Sequence, residues 1–140
     1  MRWIVVFLGL SISLHACGAS IEGRWTAFDE DTGRPRAIVE IVSREDTFTG
    51  RVVQFMPAAG EDAQPRCTAC GGAGAGQPVI GMTFLVVRRT DGQGAFEGTL
   101  LDPEEGVEYR CVVTLASTGD ELLLHGYVGL PLLGRTVTWR

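Results

Sequence analysis

The chain has 140 residues, 45% of them hydrophobic and 21% charged, with a formal net charge of -5. That length suits one domain with a single core. All twelve cationic residues are arginine, and no basic run or basic patch interleaved with aromatics occurs, so nucleic acid is excluded as an expected partner.

The first segment reads as an export signal. Arg2 supplies a positive start, Trp3 to Leu14 is an apolar run too short to span a bilayer, and small residues follow at Ala16, Gly18 and Ala19. Leu14-His15-Ala16-Cys17 also resembles a lipoprotein box, with Cys17 as the lipidated residue. Plain cleavage and lipidation stand as alternatives, and a lipid anchor is the one membrane contact expected. On either reading residues 1–19 are the signal, residues 20–140 the domain, and its location is periplasmic, secreted or on the outer membrane.

Alternation of period two and regularly spaced turns then dominate, predicting strands near 23–29, 36–42, 47–55, 79–89, 95–102, 107–115, 121–128 and 135–140. The first two turns are 29–33, rich in turn formers, and 43–46. The second is expected to set Ile41 opposite Phe48 and Val39 opposite Gly50. An irregular stretch from Pro57 to Pro78 carries Cys67-Thr68-Ala69-Cys70 and a glycine–alanine tract. A loop of that length is expected to be functional or disordered. After it, Asp91-Gly92 signals a two-residue hairpin, Pro103 to Gly106 a four-residue turn, and Thr118-Gly119 a third. These turns place Phe96 opposite Val113, Leu100 opposite Tyr109, Val113 opposite Leu124 and Leu115 opposite Leu122. One face becomes apolar, and on it Cys111 falls between Gly98 and Gly126. The uncharged stretch 129–134 is expected to fold back over one end.

Eight strands with glycines at bending positions predict an all-β, eight-stranded antiparallel up-and-down barrel. Its inward face would carry Val39, Phe48, Val52, Leu85, Leu100, Tyr109, Cys111, Val113 and Leu124. The glycines beside Cys111 favour a cavity for a small hydrophobic molecule over a filled core. Met82, Phe84 and Leu101 fall on the outer face, where a homodimer or the long loop would cover them.

Sharper chemistry finds little footing. Cys67 and Cys70 are candidates for a structural disulfide, for a bridge to Cys111, or for a redox pair. The redox reading lacks a helix N-terminus to lower the first thiol's pKa. Zinc would need His125 beside the three cysteines, but the register turns His125 to the other face, so no metal ligand set is assigned. No Gly-x-Ser-x-Gly occurs, and the pairs Asp29/Asp31 and Glu104/Glu105 sit in turns, so no catalytic residue and no cofactor is assigned.

Gly23-Arg24-Trp25 with the terminal Thr138-Trp139-Arg140 resembles the lipocalin-type barrel. That resemblance implies that Trp25 closes one end and Arg140 packs across it as a cation–π contact. A fuller run covers the rest of the domain: Asp31-Thr32-Gly33, Ile38 to Ile41, Cys67-x-x-Cys70-Gly71, Pro78 to Gly81, Leu101-Asp102-Pro103-x-x-Gly106-x-x-Tyr109, Gly126 to Gly129 and Leu133 to Thr136. In that order they resemble the exported bacterial family called domain of unknown function 2147. The resemblance implies a lipocalin-like barrel and no assigned activity.

Overall fold

A computed structural model describes residues 20–90 and 94–140. The expected signal, with Cys17, and the expected Asp91-Gly92 turn lie outside the described residues. Eight strands follow in order: β1 (Gly23–Phe28), β2 (Pro35–Arg44), β3 (Thr47–Phe55), β4 (Thr83–Arg89), β5 (Ala95–Leu101), β6 (Glu108–Leu115), β7 (Leu122–Tyr127) and β8 (Arg135–Trp139). Each pairs antiparallel with the next in one sheet. The sheet closes where Thr26 and Arg140 exchange backbone hydrogen bonds of 2.6 and 3.1 Å. The fold is the all-β, eight-stranded up-and-down barrel that the alternation predicts.

Alternation builds the core. Ala37, Val39 and Ile41 of β2, Leu85 and Val87 of β4, Cys111 and Val113 of β6, and Leu122 and Leu124 of β7 are all buried, because successive side chains on a strand point to opposite faces. The rings of Phe48 and Phe96 meet edge to face at 4.9 Å, a favoured aromatic geometry. From β5 to β7 the register is the expected one: Phe96–Val113, Leu100–Tyr109, Cys111–Gly126, Val113–Leu124 and Leu115–Leu122.

Between β2 and β3 the pairing differs. Ile41 faces Gly50, Ser43 faces Phe48 and Val39 faces Val52. The turn is only Glu45-Asp46, with Glu45 at φ 56°, so both strands run further than expected. From Val39 to Arg44 the offset is two residues, which leaves those side chains on their expected faces. Strand β4 also starts later than the expected residue 79, at Thr83, and Val79 to Met82 belong to the preceding loop.

Three β-bulges interrupt the alternation; in one, Ile38 pairs with Gln54 and Val39 with Val52, which leaves Val53 as the extra residue. Ala27 pairs with Ala37 and Phe28 with Pro35, which leaves Arg36 as the extra residue. Gly50 pairs with Leu85 and Arg51 with Thr83, which leaves Phe84 as the extra residue. A bulge bends its strand and re-aims the side chain it carries.

The long loop is ordered. Arg66 and Pro78 form a bridge, and Cys67 N donates to Gln77 O at 2.8 Å while Gly76 N donates to Cys67 O at 2.9 Å. Cys67 and Cys70 are joined as a disulfide with Cα atoms 5.4 Å apart, and Cys111 is free. Up-and-down topology puts the connections β1–β2, β3–β4, β5–β6 and β7–β8 at one pole, the mouth. Both ends of the described chain lie at the other.

The barrel mouth as candidate site

Two lobes open at the mouth. The larger, about 640 Å³, has an apolar floor that includes Ala37, Val39, Val52, Val79, Phe84 and Trp139. The smaller, about 350 Å³, is lined by Leu100, Tyr109, Leu124, Gly126 and Val137 from the opposite wall. Asp102, at the β5–β6 turn, lines both. These volumes fall in the range of small-molecule sites.

The bulges furnish the larger lobe. Phe84 is buried beside Leu85, and its ring lies 5.9 Å from that of Trp139. This corrects its expected place on the outer face. Met82 is buried too, and Leu101 packs against the core. The three residues expected to form an outer docking face are therefore part of the interior packing. Arg36 would point outward in a regular strand. As the extra residue of its bulge it lines the lobe instead, with its guanidinium 4.8 Å from the Phe55 ring.

Arg36 ties two connections together. Its Nη1 pairs with Glu61 of the β3–β4 loop, and its Nη2 lies 3.2 Å from Glu104 Oε1 of the β5–β6 turn. These pairs, the Glu61 hydrogen bond foremost, hold its pKa above the ordinary arginine value. The disulfide loop meets the same turn. Cys67 Sγ lies 3.3 Å from Pro103 O. At Gly106, with φ 69°, a Cβ would strike the Ala69 carbonyl, so glycine is needed there on both counts. Asp102 Oδ1 accepts the backbone N–H groups of Glu104 at 2.8 Å and Glu105 at 3.3 Å, the hydrogen bonding of an Asx-turn. In the smaller lobe Tyr109 donates its hydroxyl to Glu105 Oε2 at 3.0 Å, which raises the phenol's pKa.

The expected cavity residues divide. Val39 and Val52 line the larger lobe; Leu100, Tyr109 and Leu124 line the smaller one. Phe48, Leu85, Cys111 and Val113 line neither and are buried in the core. The glycines beside Cys111 are unlike each other. A Cβ at Gly98 would collide with the Val86 carbonyl oxygen and fall 2.8 Å from Val87 Cα, so this glycine marks a close approach of β5 to β4. A Cβ at Gly126 would find its nearest neighbour at 3.7 Å, and Gly126 borders the smaller lobe. The open space is thus on one side of Cys111 only. Burial pushes the Cys111 thiol up to about 11.

The disulfide joins Cys67 to Cys70, not to Cys111. Trp25 is buried and donates Nε1–H to Ile21 O at 2.9 Å. Arg140 lies over Phe28 at 5.5 Å and pairs with Glu121 at 2.8 Å. Arg140 stands opposite Thr26, so it shares a face with Phe28, two residues on, and not with Trp25. His125 pairs opposite Val112, and its ring hydrogen-bonds to Thr136 Oγ1 at 2.8 Å and to Pro131 O. Of the stretch 129–134, Leu133 and Gly134 border the smaller lobe. The stretch forms a short 3-10 turn, Pro131–Leu133, with Leu132 94% exposed.

Sequence reasoning missed Arg36, Phe84 and Trp139 as cavity residues, and Asp102, Glu61 and Glu104 as a charged rim. Only Asp102 left a signal, as the opener of a turn after a strand end.

No curated protein matches the chain. Among solved structures, one described as "Protein HP1028 from the human pathogen Helicobacter pylori belongs to the lipocalin family" is similar, with a TM-score of 0.70 and 15% identity over 87% of this chain and 82% of that one. At that identity the likeness concerns the fold alone, and it agrees with the barrel. Residues 23–140 match a family of bacterial proteins described as uncharacterized, DUF2147, and the chain belongs to that family.

Proposed function

We propose that this protein is an exported envelope protein that binds a small apolar or amphipathic molecule in the mouth of its barrel. The observation that carries the reading is the larger lobe: about 640 Å³ over an apolar floor with a charged rim. Apolar walls with a few placed polar groups are the usual anatomy of a small-molecule site. Burying an aliphatic tail there contributes about 0.8 kcal/mol per methylene. Export is supported by the apolar N-terminal run and by the disulfide, which persists in oxidising compartments.

The test uses N-phenyl-1-naphthylamine, a neutral probe that fluoresces when it leaves water. Enhancement saturating at one probe per chain is expected, and Ala37→Phe, which fills the floor, abolishes it while the protein still melts cooperatively. No enhancement with folded wild-type protein overturns the reading. Native mass spectrometry of protein purified from the envelope fraction then identifies what the lobe carries.

A further inference from the structure

The tail is chosen by the floor of the larger lobe, and the head group must sit among the charges of its rim. That rim holds four carboxylates, on Glu61, Asp62, Asp102 and Glu104, against the guanidinium groups of Arg36 and Arg66. Arg36 is already shared by Glu61 and Glu104. Arg66 donates Nη1–H to the carbonyl of Gly76 at 2.9 Å. In the smaller lobe Arg135 is held by Glu30. Among the described residues, Asp62 and Asp102 have no ion-pair partner. Asp102 stands where the two lobes meet. Its Oδ1 takes two backbone N–H groups, and its Oδ2 takes none among the described residues.

From this arrangement we infer that the mouth selects amphipathic molecules with a cationic head, such as an alkylammonium, over anionic ones of the same tail length. The inference rests on the proposed ligand-binding role of the mouth. A carboxylate head on Arg36 would have to displace Glu61 or Glu104 and would then lie beside the carboxylates it had displaced, and one on Arg66 would enter a rim where four carboxylates face two guanidinium groups. An ammonium head reaches Asp102 at the junction of the lobes without breaking any existing pair. Low-dielectric walls around a rim of net negative charge strengthen this discrimination, and salt weakens it.

The experiment is displacement of N-phenyl-1-naphthylamine from the full chain at neutral pH by three competitors of equal tail length, each below its micelle concentration: dodecylammonium, dodecanol and dodecanoate. Dodecylammonium is expected to displace the probe at a concentration about tenfold lower than dodecanoate, with dodecanol between them. Raising the salt should narrow the gap. Asp102→Asn keeps the oxygen that accepts the turn's N–H groups, and it should narrow the gap several-fold by weakening dodecylammonium. Should that variant not fold, Asp62→Asn provides the same comparison. Equal displacement by all three overturns the charge selection and leaves the apolar reading standing. Dodecanoate binding best also overturns it. Failure of all three competitors, or of the probe itself, to bind overturns the ligand-binding reading as well.

Discussion

The two glycines flanking Cys111 allow a direct comparison of a closed side and an open side. At Gly98 the added methyl of Gly98→Ala meets only backbone: the Val86 carbonyl oxygen and, at 2.8 Å, Val87 Cα. Strand β4 is hydrogen-bonded on both edges, to β3 and to β5, so it cannot yield without loss of ladder bonds. Overpacking of this kind costs about 1–3 kcal/mol, and a collision with backbone on both counts belongs at the upper end, about 3 kcal/mol. At Gly126 the methyl of Gly126→Ala finds its nearest neighbours at 3.7 Å and beyond, which is ordinary contact. There the loss of unfolded-chain freedom should stabilise by about 0.4–1 kcal/mol. The two variants should differ by about 3–4 kcal/mol, read by urea unfolding with tryptophan fluorescence, since Trp25 and Trp139 are both buried. Equal m-values keep the comparison one of stability. Gly98→Ala within about 0.5 kcal/mol of wild type would falsify the close approach, and so would a larger loss at Gly126.

The same packing sets other expectations. Phe96 is 1% exposed and meets Phe48 edge to face, so Phe96→Ala should cost about 3–5 kcal/mol in denaturant unfolding. Cys111 titrates near 9.0 when unfolded and at about 11 when folded. Its contribution is therefore complete below pH 9 and lost as pH rises through 11, about 2–3 kcal/mol in all. Stability measured against pH should show this loss in wild type and lack it in Cys111→Ala. The Cys67–Cys70 bridge closes a ring of only four residues, so its removal in Cys67→Ser/Cys70→Ser should cost no more than about 2 kcal/mol by loop-closure entropy. A larger loss would assign the bridge a role in seating the loop on the β5–β6 turn. Arg36→Gln should loosen the 57–78 loop, seen as faster amide exchange there, at a global cost of about 1 kcal/mol that shrinks in high salt, because its partner Glu104 is largely exposed.

The sequence was most legible where turns are tight and alternation is unbroken. From β5 to β7, turn positions and period two together determine every pairing. The β2–β3 register is offset by two because the turn is Glu45-Asp46 alone, whereas the turn formers of 43–46 suggest four residues. Since two is the period of a strand, no face is misassigned from Val39 to Arg44. Bulges are where legibility ends. Nothing in Pro35-Arg36-Ala37 or Thr83-Phe84-Leu85 announces an extra residue, because a bulge arises from how neighbouring strands meet. The bulges that carry Arg36 and Phe84 lie at the mouth, so alternation misplaces these two side chains, which furnish the site. The glycine at position 98 misleads for a related reason: an absent side chain marks a gap or a close approach, and only the neighbouring strand decides which.

The seam between β1 and β8 differs from the other strand boundaries. Elsewhere adjacent strands share five or more residue pairs, whereas the seam is fastened by Thr26 and Arg140. Mechanically the barrel is a rolled strip buttoned at one point. Both ends of the described chain leave from the same pole, so a load applied between them peels the seam bond by bond instead of shearing a whole ladder at once. Slow opening under no load should take the same course, with the wall parting at β8 while the Phe48–Phe96 side of the roll stays wound.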